Sequence, residues 1–348
     1  MPIFLLFTSI TSFGQWKQVN NGITNLTRGT KLLGTSNTHL FAITLADNKM
    51  YRTNDYGNNW VEIQPPINQQ VIVCGYYFSG KYFSGLNTSW DCIYYTTDNG
   101  TTWNPVKGGP TSTVLRGFKE HAGNIFAYTS TKGVYRSTDG GITWSAANSG
   151  LTNSNVIWME TLNTKLFAVT IGAGVFVSSD NGGTWIQSNN GITGIGDLAA
   201  TFIWRMGNNL YYTAQSGGFY FSSNEGATWN VWTKPAIMGI KLNEIYRNGS
   251  NLYIETRHFS GGLKDSIYFS SNEGSTWINI TDNLSDSDLN ASGITEFGGY
   301  VFISYDIISP YLGVYRRNKI TVEVKEHNSS DSIIVSPNPF NDKIKISN

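Results

Sequence analysis

Hydrolysis of a glycosidic bond needs two carboxyl groups about 5–10 Å apart. The 348-residue chain offers Glu160, Glu244, Asp197 and Asp265 as candidates, but no spacing singles out a pair. Its four histidines, His39, His121, His258 and His327, form no metal-ligand or nucleophile–base constellation. No glycine-rich phosphate loop joins a strand to a helix. The 24 basic and 24 acidic side chains cancel, which argues against a nucleic-acid partner, because phosphate neutralisation needs a cationic excess. No apolar run approaches the roughly 20 residues of a membrane-spanning helix. Many Gly, Thr, Ser, Asn and aromatic residues, with few charges, point to an all-β protein rich in tight turns.

The residues that do recur with fixed spacing form a ten-residue pattern. It reads YRTNDYGNNW (51–60), YYTTDNGTTW (94–103), YRSTDGGITW (135–144), FVSSDNGGTW (176–185), YFSSNEGATW (220–229) and YFSSNEGSTW (268–277). Its tryptophans, Trp60, Trp103, Trp144, Trp185, Trp229 and Trp277, are 43, 41, 41, 44 and 48 residues apart. The hydroxyl residue ends one strand. The carboxylates of Asp55, Asp98, Asp139 and Asp180 can accept backbone N–H bonds across the turn. Asn224 and Asn272 replace them in the last two copies and can still accept. Gly57, Gly100, Gly141, Gly182, Gly226 and Gly274 allow positive φ. Each tryptophan opens the next strand, and burying its indole stabilises by roughly 4–6 kcal/mol before entropy. One carboxylate per turn makes a poor metal site, so neither metal nor cofactor is expected.

This pattern resembles the Asp-box, or bacterial neuraminidase repeat, of sialidases, sortilin-type receptors, photosystem assembly factors and many secreted bacterial propellers. The resemblance implies a β-propeller with one four-stranded antiparallel blade per repeat, the motif being scaffold. Residues 155–189 fit one blade: NVIWMETL, KLFAVTI, GVFVSSD, TWIQSN. The chain begins a unit without its motif, WKQVNNGIT (16–24), and ends one at GVYRR (313–317). Joining the two gives seven blades, a ring closed by the N-terminal strand, and no exposed sheet edges there. Thr321–Val324 closing the last blade itself is the alternative.

Sialidases of this family use an arginine cluster, a Tyr–Glu pair and an acidic proton donor. The Phe-Arg-Ile-Pro motif that usually accompanies their first arginine is missing, and Arg52, Arg136 and Arg316 belong to the repeated strand. Sialidases also have six blades, so sialidase activity is not expected. A sialidase-like glycoside hydrolase and a passive surface scaffold are the alternatives to a binding module for glycan, peptide or protein. The motif turns share one rim, so a binding site is expected on the opposite rim and the channel mouth. Candidate residues there are Trp90 in the loop Gly85–Asp91, His258 and Phe259 in the loop Thr256–Asp265, and Trp204. Arg28, Arg116 and Trp158 align at one repeat position early in a first strand. Trp158 and Trp204 are also compatible with a place between blades.

Residues 1–15 resemble a secretory signal peptide, with an apolar stretch from Pro2 to Ile10. The propeller is expected over 16–324, a polar linker over 325–332, and a further segment over 333–348. In that segment Pro337-Asn338-Pro339-Phe340 resembles the opening of the C-terminal sorting domain of type IX secretion cargo. The resemblance covers only the start of such a domain and implies an outer-membrane secretion machinery as partner. A secreted or cell-surface monomer follows. Cys74 and Cys92 are expected on the first and third strands of one blade, near 10 Å apart and beyond disulfide reach.

Overall fold

A computed structural model describes residues 14–68, 70–194, 196–233, 241–257, 266–284, 291–306, 312–320, 332–335 and 344–347. Residues 1–13, the linker, Pro337–Phe340, His258, Phe259 and Thr321–Val324 lie outside them. The described chain is almost entirely strand, with one short 3-10 turn at Asp282–Leu284.

The strands follow as β1 (Lys17–Gln18), β2 (Thr30–Thr35), β3 (Leu40–Thr44), β4 (Met50–Thr53) and β5 (Val61–Ile63). Next come β6 (Val71–Phe78), β7 (Lys81–Asp91), β8 (Ile93–Thr96), β9 (Asn104–Pro105), β10 (Thr111–His121), β11 (Asn124–Thr129), β12 (Val134–Ser137) and β13 (Ser145–Ala146). Then β14 (Val156–Leu162), β15 (Lys165–Thr170), β16 (Gly174–Ser178), β17 (Ile186–Gln187), β18 (Ala200–Met206), β19 (Asn209–Ala214), β20 (Phe219–Ser222) and β21 (Asn230–Val231) follow. The rest are β22 (Lys241–Asn248), β23 (Asn251–Arg257), β24 (Ser266–Ser270), β25 (Ile278–Asn279), β26 (Ala291–Phe297), β27 (Tyr300–Tyr305) and β28 (Gly313–Asn318), then β29 (Ser332–Val335) and β30 (Ile344–Ser347).

These make antiparallel meanders: β2–β5, β14–β17, β18–β21 and β22–β25. A fifth four-stranded sheet has the order β1-β28-β27-β26, with Lys17 opposite Arg316 and Gln18 opposite Tyr315. The groups β6–β9 and β10–β13 merge into one eight-stranded sheet through β7 and β10. β29 and β30 pair only with each other.

Each meander's first strand carries a β-bulge, which increases local twist, and touches the first strand of the next meander. A specific contact joins each neighbouring pair. Lys31 Nζ donates to Val73 O (2.7 Å), Tyr76 stacks on Phe118, Lys119 pairs with Glu160, and Trp158 meets Phe202 edge-on at 5.2 Å. Arg247 then donates to Arg205 O, Asn248 to Glu296 (2.7 Å), and Ser292 to Thr30 O. The cores lie between meanders. Phe167, Val169 and Val175 pack on Tyr212, Tyr220 and Trp229; Val19, Tyr51 and Trp60 pack on Phe302 and Val314.

The motif turns are built alike. In the third, Ser137 Oγ donates to Asp139 Oδ1 (2.8 Å) and accepts from Gly141 N (2.9 Å), while the Thr143 N–H donates to the same carboxylate (2.9 Å). The hydroxyls of Thr102, Thr143 and Thr184 donate to the second carboxylate oxygen. With asparagine the last bond reverses: Asn224 and Asn272 Nδ2 donate to Thr228 and Thr276 Oγ1. Four motif indoles then staple their meander to the one before. Trp60 Nε1 donates to Val19 O, Trp103 to Gln64 O, Trp185 to Ala147 O and Trp229 to Ser188 O, at 2.7–3.0 Å. Trp144 instead caps its own turn at Gly141 O. Trp16 behaves as a motif tryptophan without a motif, donating to Ile280 O at 2.7 Å. Arg52, Arg136 and Arg316 each donate to a carbonyl in the next motif turn, which makes them structural.

Burial would push the Asp98 and Asp139 carboxyls up, but hydrogen bonds from Thr102, Thr96, Thr143 and Ser137 outweigh it and hold them at about 2. At Asp180 the Thr184 N–H and hydroxyl bonds dominate, also giving about 2. An unfolded aspartate titrates near ~3.9, so the stabilisation is complete above about pH 4 and is lost as pH falls toward 2. Urea midpoints are therefore expected to drop between pH 5 and pH 2.5. The combined variant Asp98→Asn, Asp139→Asn, Asp180→Asn should show a shallower drop, because its amides do not titrate.

Candidate functional site

The first-to-second-strand turns meet the motif turns on one rim. Ser36 Oγ donates to Asn99 Oδ1 (2.9 Å) and Lys165 pairs with Glu225 (2.9 Å). Between β18–β21 and β22–β25 that rim has a cleft of about 520 Å³, lined by Asn208, Asn209, Tyr211 and Glu273 among others. Two of its polar groups are already engaged: Asn272 by Thr276 and Ser270, Glu273 by Arg247 at 3.2 Å.

On the opposite rim the second-to-third-strand loops meet the connectors entering each meander. Gly29 bridges Asp306, and Ile171 bridges Ala199. Here one place departs from the repeat. The segment Gly85–Asp91, expected as a loop, is strand: β7 runs on to Asp91 and pairs with the start of β10, Thr88 opposite Thr113 and Asp91 opposite Thr111. The local reason is β-propensity in Leu86-Asn87-Thr88-Ser89-Trp90 combined with an available edge on Thr111–Val114.

Trp90 lies near the tip of this ribbon and is 68% exposed. All 11 tryptophans fall within the described residues, and Trp90 alone is exposed. Its backbone is fixed: its N–H donates to Thr88 Oγ1 (3.1 Å), Ser112 Oγ donates to Ser89 O (2.9 Å), and the buried Cys92 thiol points at Thr113 O (3.3 Å). Cys92 and Cys74 are both free thiols, on the third-strand and first-strand sides of β6–β9, and burial pushes Cys74 up to about 12. Arg116 is exposed on β10, the same ribbon's second strand.

The other candidates scatter. Arg28 is exposed in the turn before β2, beside the Gly29–Asp306 bridge. The expected equivalence of Arg28, Arg116 and Trp158 does not hold. Arg116 is the bulged residue between Leu115 and Gly117, while Trp158 lies past its bulge, opposite Val169. An inserted residue shifts the register by one, which an ungapped alignment cannot register. Trp158 is half-buried against Phe202. Trp204 is buried among Met206, Ile245 and Ile254, between two meanders, and stacks on Tyr211 at 5.7 Å. It is a core residue and offers no surface to a ligand.

Among the candidate carboxylates, Glu160 is buried, pairs with Lys119 and accepts from Thr161 N (2.8 Å). Asp197, also buried, accepts from Ser216 and Tyr220, and its carbonyl accepts from Tyr212 (2.5 Å). Sequence reasoning missed Glu296, which pairs with Lys319 and accepts from Asn248, Asn251 and Tyr253; these bonds overcome its burial and lower its pKa. Among the described residues no cluster of three or more His, Cys, Asp or Glu could hold a metal. No described helix is long and apolar enough to cross a membrane.

Residues 63–202 match a family model described as the DUF6242 beta propeller domain. The chain is a β-propeller protein. Its fold resembles that of YCF48 bound to D1 peptide, at TM-score 0.62 and 16% identity over 89% of this chain and 98% of that one. It also resembles the extracellular domain of a putative hybrid two component system, BT3049, from B. thetaiotaomicron (TM-score 0.62, 10% identity, 96% of this chain, 48% of that one). A GH74 xyloglucanase from Xanthomonas campestris gives TM-score 0.56 and 12% identity, over 92% of this chain and 59% of that one. No curated protein matches the sequence.

Proposed function

We propose that this propeller is a non-catalytic binding module, secreted or displayed at the cell surface, that engages glycan, peptide or protein through the rim opposite its motif turns. One observation carries the reading: a tryptophan 68% exposed on a ribbon whose backbone is held by hydrogen bonds. An exposed indole offers a large apolar face to a ligand, and a backbone held in place beforehand lowers the entropy lost on binding. Arg116 on the ribbon's other strand adds a cation.

The scaffold reading is a seven-bladed Asp-box ring closed by the N-terminal strand. The β1–β28 pairing, the Trp16 staple and the chain of first-strand contacts returning from β26 to β2 support it. The apolar N-terminal stretch and the Pro-Asn-Pro-Phe segment support export by a type IX-like route. Mass spectrometry of the exported protein is expected to find an N-terminus at Trp16.

A glycan and peptide array probed with the full chain and with Trp90→Ala tests the binding role. Retention of at least one class is expected, falling at least tenfold in the variant while the melting temperature stays unchanged. Hydrolysis of a polysaccharide without any retained ligand would overturn it. The glycosidase alternative draws on the fold shared with GH74 enzymes. The engagement of Glu160 by Lys119 and of Asp197 by Ser216 and Tyr220 weighs against it.

A further inference from the structure

We propose that the Trp90 ribbon takes a neutral pyranose chain, with the exposed indole stacked on the C–H face of one sugar ring. The inference rests on the binding-module reading above and narrows its ligand class.

Three features of the ribbon select this chemistry. First, the indole is free: among the described residues no ring packs on Trp90 and no acceptor takes its Nε1–H, whereas its neighbours fix the main chain beneath it. A flat, apolar face open to water fits the flat apolar face of a pyranose, and a main chain held beforehand lowers the entropy lost on stacking. Second, the surroundings are hydroxyl-rich. Ser89, Thr111 and Ser112 are exposed on the two strands, as is Asp91, the next residue along β7. Hydroxyls that both donate and accept match sugar hydroxyls, and with Asp91 on one strand and Arg116 on the other the ribbon offers an acidic sugar no net attraction.

Third, the ribbon's main-chain groups are largely spent. Trp90 N–H bonds to Thr88, Ser89 O accepts from Ser112, Cys92 N–H donates to Pro110 O (3.1 Å), and Leu86 N–H donates to Cys92 O (2.9 Å). A peptide adding as a further strand gains its affinity from free main-chain donors and acceptors along an edge. With these groups taken, recognition falls to side chains, and the side chain on offer is the indole.

The test titrates the full chain, by calorimetry and tryptophan fluorescence, with cellohexaose, laminarihexaose and mannohexaose. Hexagalacturonate and a mixture of random nonapeptides form the acidic and peptide arms. At least one neutral hexasaccharide is expected to bind, weakened at least tenfold by Trp90→Ala and only severalfold by Trp90→Phe. A melting curve for each variant guards against misfolding, and Trp90→Phe keeps the test alive should Trp90→Ala fail to fold. Trp90-dependent binding of peptide or hexagalacturonate alone would overturn the neutral-sugar inference and leave the binding-module reading standing. Absence of Trp90-dependent binding in every arm would overturn both.

Discussion

Gly141→Ala is expected to destabilise the protein by about 2–5 kcal/mol. The glycine sits at φ +87°, and an added Cβ would come within 2.1 Å of Phe83 Cζ on the preceding meander. Positive φ costs a non-glycine residue roughly 1–2 kcal/mol, and overpacking against a buried ring adds about 1–3 kcal/mol. Phe83 cannot yield, because it is fully buried and wedged against Trp144 and Phe118. Gly123→Ala is the control. Its φ is +75°, yet nothing lies within 4 Å of the added methyl group, so only the backbone term of about 1–2 kcal/mol remains. Urea denaturation of the two variants separates the contributions. Equal losses would show that the motif glycine is needed for its turn alone and not for the approach of the preceding meander.

Trp16→Ala is expected to cost about 3–5 kcal/mol, as large as a core deletion, although it alters a residue near the chain's beginning. Trp16 is buried, and its indole donates to Ile280 O. Asn283 grips its backbone from both sides: Oδ1 accepts from Trp16 N and Nδ2 donates to Trp16 O, each at 2.9 Å. Arg317 lies over the ring at 5.5 Å and donates to the same Ile280 carbonyl (2.7 Å). Since β1 contributes only two paired residues, side chains carry this attachment. Losing the indole frees the edge of β28, and an open edge invites association. Light scattering after size exclusion is therefore expected to show higher oligomers alongside the lower urea midpoint. A monomeric variant of near-wild-type stability would mean that β1 is not a structural part of its sheet.

Much of the molecule was legible in the residues because each motif position does one local job. A hydroxyl, an acceptor and a glycine at fixed offsets close a turn whatever surrounds it, as the matching bonds at Asp55, Asp98, Asp139 and Asp180 show. The Asn224 and Asn272 turns keep the same form with one bond reversed, since an amide offers a donor where a carboxylate offers an acceptor. The alternation of β14 to β17 was equally readable, and its strands lie where the pattern put them.

What failed to read out was non-local. Nothing in Arg317 itself reveals that it stands where Thr53 stands in the first motif, pinning Trp16 and Ile280 in place of a motif turn. Trp204 and Trp90 are the same residue type and both lie on strands, yet one is core and the other is exposed. The difference lies in what covers them: β22–β25 closes over Trp204, whereas the β7–β10 ribbon lifts Trp90 clear of both its parent meanders. The sequence by itself determined the repeat, the turns and the all-β class, because those depend on neighbours within about ten residues. Only the tertiary structure decided which aromatic faces meet solvent and which residues bulge, because burial and register depend on strands far away along the chain.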